Sequence, residues 1–270
     1  MATTKAKATS APAGPADAAA VVAPPQAPEQ GPVPASASGE TAEPAETAET
    51  AGPAATVIAC VTPGYWDEAC RHLAKRDRVM KKLIPRFGEA RLQSRGDAFT
   101  TLARSIVGQQ ISVKAAQSVW EKFVATQPGV PSTHLQPEGV LGTGITTLRG
   151  AGLSARKSEY LLDLARHFST GEVHVAQWQA MDDEAIIDEL VAIRGIGRWT
   201  AEMFLIFHLM RPNVLPLDDL GLLKGISQSY FSGEPVSRAE AREVGDAWAP
   251  YRSVATWYIW RSLDPLPVDY

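Results

Sequence analysis

The chain of 270 residues carries 26 basic and 30 acidic side chains, a formal charge of −4, and is long enough for one or two domains with a real core. Its two cysteines, Cys60 and Cys70, exclude a disulfide framework and a four-cysteine zinc or iron–sulfur site. No stretch approaches the roughly 18 apolar residues of a bilayer span, and the short apolar run at 18–23 is no secretory leader, so the expectation is a soluble cytoplasmic protein without a membrane partner.

Composition divides the chain. Residues 1–56 hold 19 alanines, 9 of the 20 prolines and no aromatic residue, with two lysines against six acids. Such a segment cannot bury enough apolar surface to offset its ordering entropy, so a disordered tail is predicted there. Residues 57–270 form the folded domain and hold all seven Trp, six Tyr and seven Phe, with balanced charge.

Within that domain, from Tyr65 onward, the apolar spacing is helical almost throughout. Trp66, Cys70, Leu73, Met80, Leu83 and Ile84 mark one face of a first helix, and Phe99, Leu102, Ala103, Ile106 and Val107 a second, stopping near Gly108. Ser112 caps a third, with Ala115, Ala116, Val119, Trp120 and Phe123 inward; Ser154 caps a fourth through Tyr160, Leu161, Leu164 and Phe168. Asp182 or Asp183 opens a helix through Leu190, and an apolar helix follows at about 200–209. Ser237 and Glu240 form a capping-box pair, and the last helix holds Val254, Ala255, Tyr258 and Ile259. No alternating run of strand character intervenes, so the class is all-α.

Charge clusters locally. Residues 71–95 carry nine basic side chains against Asp77 and Glu89, which reads either as a phosphate-facing surface or as a solvated helix face. The five histidines show no metal-ligand spacing, and no metal site is expected.

The most informative stretch is Leu190-Val191-Ala192-Ile193-Arg194-Gly195-Ile196-Gly197-Arg198-Trp199-Thr200-Ala201. Two glycines around Ile196 allow a tight turn between helices while the isoleucine plugs the gap, and Gly197 is expected to need positive φ. The helix that follows begins with free N–H groups, an anion site that fits a DNA phosphate. Gly-x-Gly alone also describes a plain helix–helix turn; the flanking residues make it more specific.

With those flanks, Leu-x-x-Ile-x-Gly-Ile-Gly-Arg-Trp-Thr-Ala resembles the hairpin of the helix-hairpin-helix (HhH-GPD) DNA glycosylase superfamily. Three further ordered segments resemble it over roughly residues 65–262. They are Ser105 through Gln109-Gln110-Ile111-Ser112 to Ala116, the loop Val214-Leu215-Pro216-Leu217-Asp218-Asp219-Leu220-Gly221, and Tyr251-Arg252-Ser253-Val254-Ala255 through Trp260. The closing helix is similar to that of the DNA-3-methyladenine glycosylase II branch. The resemblance implies a compact two-lobed helical fold with the substrate cleft between lobes, lacking the N-terminal β-domain of larger bacterial relatives and the four-cysteine loop of the iron–sulfur branch.

It also implies a chemistry. Hydrolysis of an N-glycosidic bond builds positive charge on the sugar, which a buried carboxylate stabilises while orienting or deprotonating water. An alkylated purine is already cationic and leaves without a strong general acid. Asp219, directly before Leu220, is the first choice for that carboxylate by family register; Asp218, counted from the proline, is second and otherwise serves as a helix cap. Where strand-cutting relatives carry a Schiff-base lysine, this chain has Trp199. Trp199 and Trp260 are assigned to stacking on a flipped cationic base, with core packing as the competing reading. Gln110 and Ile111 stand where relatives insert a wedge into the duplex. The hairpin residues Gly195, Ile196, Gly197, Arg198 and Thr200, with Lys114 and Lys157, are candidate DNA contacts. No cofactor is expected beyond a monovalent cation on hairpin backbone carbonyls. The expectation is thus a monomeric, monofunctional glycosylase acting on alkylated bases in duplex DNA; a glycosylase for uracil, hypoxanthine or an oxidised purine, or a DNA-binding module without catalysis, remains the alternative.

Overall fold

The computed structural model describes residues 62–94, 96–127 and 134–263. The tail at 1–56 with its boundary at 57, Cys60 and Arg95 lie outside the described residues. Among those described there are eleven α-helices and no β-strand, as the apolar periodicity predicts.

The helices divide into two groups. One comprises α3 (Ala98–Gly108), α4 (Val113–Val124), α5 (Pro137–Gly150), α6 (Ala155–Thr170), α7 (Asp183–Val191) and α8 (Arg198–Phe207); α6 packs on α3 and α5, and α7 on α8. The other joins the chain's two ends: α1 (Trp66–Arg76) and α2 (Arg78–Leu83) pack on α11 (Arg252–Leu263), which also packs on α9 (Leu220–Tyr230), itself against α10 (Arg238–Asp246). These are the two lobes expected. Hydrogen bonds from Tyr65 Oη to the Met210 carbonyl (2.6 Å) and from Ser94 Oγ to the His208 carbonyl (3.1 Å) stitch them together.

Local chemistry explains most boundaries. Ser112 and Ser154 accept from the third residue of the helices they start, and Ser237 with Glu240 closes a reciprocal capping box. Two expectations fail, and one helix is unforeseen. The predicted first helix is two helices, because Asp77 takes an extended conformation (φ −127°, ψ 124°) and its carboxylate accepts from the Val79 and Met80 amides, capping α2. Ala115 is exposed, since α4 buries only a narrow stripe at Trp120 and Phe123. Helix α5 is unexpected from its glycine-rich sequence; it is two short helices joined at Gly144, whose φ of 72° breaks the spiral.

Candidate active site and nucleic-acid interface

The hairpin lies between α7 and α8. Ile196 is buried, and its amide donates to the Ile193 carbonyl at 3.1 Å, closing the turn. The conformational demand falls on Gly195, which has φ +89°. A Cβ there would stand 2.1 Å from Cδ2 of Tyr160, so the ring of α6 occupies the space a side chain would need. The expectation for Gly197 is corrected: its φ is −91°, ordinary for any residue, and a Cβ would meet nothing within 4 Å. Gly197 is the N-cap of α8 and has no side chain to satisfy the first-turn amides. The first amides of α8 therefore have no side-chain cap at this exposed start.

The other hairpin candidates behave differently. The Arg198 guanidinium faces the protein, held by Glu184 (2.5 and 2.9 Å) and Glu202 (3.1 Å), and these carboxylates, Glu184 first, push its pKa further up. Thr200 is partly buried. Lys157 is also turned inward, donating to the Val107 carbonyl at 2.7 Å. Lys114 is exposed on α4. The eight described basic residues of the 71–95 cluster are all exposed, and Arg91 pairs with Asp67 at 3.0 Å.

The turn from α3 to α4 presents Gln110 and Ile111 to solvent. Gln110 has φ +58°, a left-handed conformation that L residues with a Cβ seldom adopt. It projects from a short link whose other end is tied down: Gln109 Nε2 donates to the Gly195 carbonyl at 2.9 Å. The two turns that the sequence singles out as candidate DNA contacts are therefore neighbours. The residue joining them is Gln109, which sequence reasoning missed beside Gln110.

The carboxylate sits where the lobes meet. Asp219 is 7% exposed and opens α9. Its Oδ1 accepts from the Leu222 amide at 2.5 Å and from Trp260 Nε1 at 2.8 Å; its Oδ2 accepts from Trp199 Nε1 at 2.9 Å. Trp199 comes from the first turn of α8 in one lobe, Trp260 from α11 in the other. Gly221 makes the fit possible, since a Cβ there would lie 3.1 Å from Asp219 Oδ1 and 3.4 Å from the Trp260 ring. Trp260 also stacks on Phe207, with ring centroids 5.6 Å apart and planes 14° apart. Both indoles thus hold the carboxylate through their N–H groups. With Oδ1 taking two donors and Oδ2 one, the remaining acceptor site lies on Oδ2.

Asp218 is not the cap of α9; Asp219 is. Asp218 points away, about half exposed, and pairs with Arg238 at 2.7 Å. It lines a separate cleft of about 360 Å³ with Glu184, Arg198, Glu202 and Arg238. In that cleft Glu202 is 5% exposed and its Oε2 has no partner. Burial pushes its pKa from 4.5 up to about 7, opposed by Arg198 and reinforced by the Asp218 and Glu184 charges. A carboxyl whose pKa rises on folding stabilises the protein most when it is protonated in both states. That contribution is complete below about pH 4.5 and is lost as pH rises to about 7. Glu202→Gln should therefore flatten the fall in melting temperature between pH 5 and about 8, measured by calorimetry; an unchanged slope would refute the assignment. No group of His, Cys, Asp and Glu suited to a metal occurs among the described residues, and none of their helices is long and apolar enough to cross a membrane.

Comparison with known proteins gives the family. The family model for the HhH-GPD superfamily base excision DNA repair protein matches residues 103–250, which include the wedge turn, the hairpin and Asp219. The putative DNA-3-methyladenine glycosylase YfjP of Bacillus subtilis is 31% identical over 169 residues, covering 62% of this chain; the chain spans 59% of that relative's length. DNA-3-methyladenine glycosylase 1 of Schizosaccharomyces pombe is 29% identical over 197 residues, with 71% of this chain and 85% of the relative covered. The solved structure of the S. pombe enzyme Mag1 with abasic DNA superposes with a TM-score of 0.63 at 28% identity, covering 74% of this chain and all of that one. A DNA-3-methyladenine glycosidase from Bacillus halodurans gives 0.68 at 32% identity, with 77% and 93% covered. The chain belongs to the HhH-GPD superfamily of base excision DNA repair proteins.

Proposed function

We propose that this protein is a monofunctional DNA glycosylase that flips an alkylated base, 3-methyladenine or a related adduct, out of duplex DNA and hydrolyses its N-glycosidic bond. The observation that carries the reading is Asp219: a buried carboxylate with three donors on it and one acceptor site left. As the C1′–N bond breaks, its electron pair leaves with the base, whose positive charge is thereby neutralised. The sugar becomes an oxocarbenium-like cation. Asp219 Oδ2 stabilises that cation and accepts a proton from the water that adds to C1′. The two indole N–H groups and the Leu222 amide fix the carboxylate before substrate arrives, so no reorganisation is needed during the reaction.

The relatives named for 3-methyladenine support the substrate class. So does chemistry: the adjacent acid, Asp218, is turned outward to Arg238, and a cationic base needs no second acid. Trp199, at the position of the lyase lysine, has no nucleophilic amine. Hairpin amides from Gly197 onward would seat a phosphate, a monovalent cation on the hairpin carbonyls would serve the same strand, and the protein would act as a monomer on double-stranded DNA.

A direct test incubates purified protein with methylated duplex DNA and analyses both products. Free 3-methyladenine and an abasic strand that is cut only after alkali are expected, with no covalent adduct trapped by borohydride. Release of uracil or 8-oxoguanine without alkylated purine would replace the substrate class, and a borohydride adduct would refute the monofunctional reading. Binding to DNA with no base released from any lesion would leave a module without catalysis.

A further inference from the structure

Helix α6 supplies none of the three donors to Asp219, yet it holds both of the turns singled out as DNA contacts. Lys157, Tyr160 and Asp163 lie on one face of it at three-residue steps, about 9 Å from first to last at 1.5 Å rise per residue. The Lys157 ammonium donates to the Val107 carbonyl at 2.7 Å, in the last turn of α3 just before the wedge. The Tyr160 ring fills the space beneath Gly195. Asp163 Oδ2 accepts the Arg194 amide at 2.9 Å. Gln109 then closes the circuit from wedge to hairpin through the Gly195 carbonyl, 2.9 Å away. Wedge, α6 and hairpin thus form a closed ring of interactions.

Two features of that ring are costly unless the geometry matters. A lysine beside a DNA-facing turn is committed to a main-chain carbonyl, and burial lowers its pKa. Gln110 is held at φ +58° although it is exposed. Strain of this kind persists where the surroundings over-determine it. A residue that fills the gap left by a flipped base must arrive at a fixed distance from the phosphates that the hairpin holds, because small misplacement costs large factors in rate.

We propose that Gln109, Lys157, Tyr160 and Asp163 are positioning residues that set the spacing between the Gln110 wedge and the hairpin, and so act on base extrusion rather than on bond cleavage. This rests on the glycosylase reading of the Asp219 site. Extrusion and cleavage separate when the lesion is presented unpaired. The test compares wild type, Gln109→Leu and Lys157→Met on the same alkylated base in a fully paired duplex and in a one-base bulge with nothing opposite. Both replacements remove the donor and leave an apolar side chain one heavy atom shorter, and either alone suffices if the other fails to fold. On the paired duplex, kcat/KM should fall about tenfold, the scale of one lost hydrogen bond in a constrained site. On the bulge it should stay within about twofold, and in a Gln110→Ala background Gln109→Leu should add nothing further, since coupled residues are not additive.

Equal losses on both substrates, a Gln109→Leu effect that persists in full without Gln110, or no loss in either variant would each overturn the spacer. Wild-type protein that releases no base from either substrate would instead overturn the glycosylase reading, and the spacer with it; the two failures are distinguished by the wild-type control.

Discussion

Asp219→Asn should reduce base release by about 10²–10⁴-fold, the range that a positioned acid–base group supplies, while Asp218→Asn should release base at close to the wild-type rate. The pair differ by one position and are opposite in environment. Asp218 loses only a surface pairing with Arg238, of a type worth about 0–1 kcal/mol. Asp219 loses the charge that opposes the developing cation. Asparagine still caps α9, since Asn and Asp cap about equally well, so the helix survives. It cannot satisfy the site, however. Trp199 and Trp260 donate to different oxygens of Asp219, and an amide offers one oxygen and an NH2. One indole N–H then faces another donor, a mismatch of about 1–3 kcal/mol, so a lower melting temperature should accompany the lost activity. DNA affinity should hold or rise, because a negative charge near phosphates has been removed. Single-turnover excision, calorimetry and fluorescence anisotropy together read these three effects. An active Asp219→Asn protein beside an inactive Asp218→Asn protein would move the catalytic role one residue back.

The register at this pair shows what a sequence can and cannot carry. Asp-Leu-Gly after a proline loop places the candidate carboxylate, and the resemblance around Trp199 and Trp260 places both indoles near it. What cannot be read is that both N–H groups converge on the same carboxylate from different lobes, because that depends on the packing of α8 against α9 and α11. The cap assignment fails for a similar reason: either aspartate suits an N-cap chemically, and only the direction of the chain decides. Helix starts at Ser112, Ser154 and Ser237 are legible because the cap is local. The break at Asp77 is equally local but hidden, since an apolar face continues in phase on both sides of it. Helix α5 is illegible because its stability comes from packing against α6 and not from a glycine-rich sequence of low propensity. Gln109 escapes notice because it stands next to the wedge position, and its partner is a main-chain carbonyl 86 residues away.

The two hairpin glycines should separate folding from binding. Gly195→Ala places a Cβ at φ +89°, 2.1 Å from Tyr160 Cδ2 and 2.4 Å from Cγ. Backbone strain and overpacking together should cost on the order of 3 kcal/mol, a fall of about 6–12 °C in melting temperature for a domain this size. The turn can no longer close, so DNA affinity should fall with it. Adding Tyr160→Ala should recover part of the lost stability by opening the space, but not the strain in φ. Gly197→Ala is the contrasting case. Its φ of −91° suits alanine and its Cβ would meet nothing within 4 Å, so the melting temperature should be nearly unchanged. Yet the methyl group would stand on the helix start proposed to seat a phosphate, and a close backbone approach is what the missing side chain allows. Affinity for duplex DNA should therefore drop about tenfold or more, with a log–log salt slope shallower by about 0.9 for each phosphate that the protein no longer neutralises. A Gly195→Ala protein as stable as wild type would contradict the clash with Tyr160. A Gly197→Ala protein that binds DNA with wild-type affinity and salt dependence would mean that the hairpin is a turn between helices and that the phosphate grip lies elsewhere, with the basic cluster on α1 and α2 as the next place to mutate.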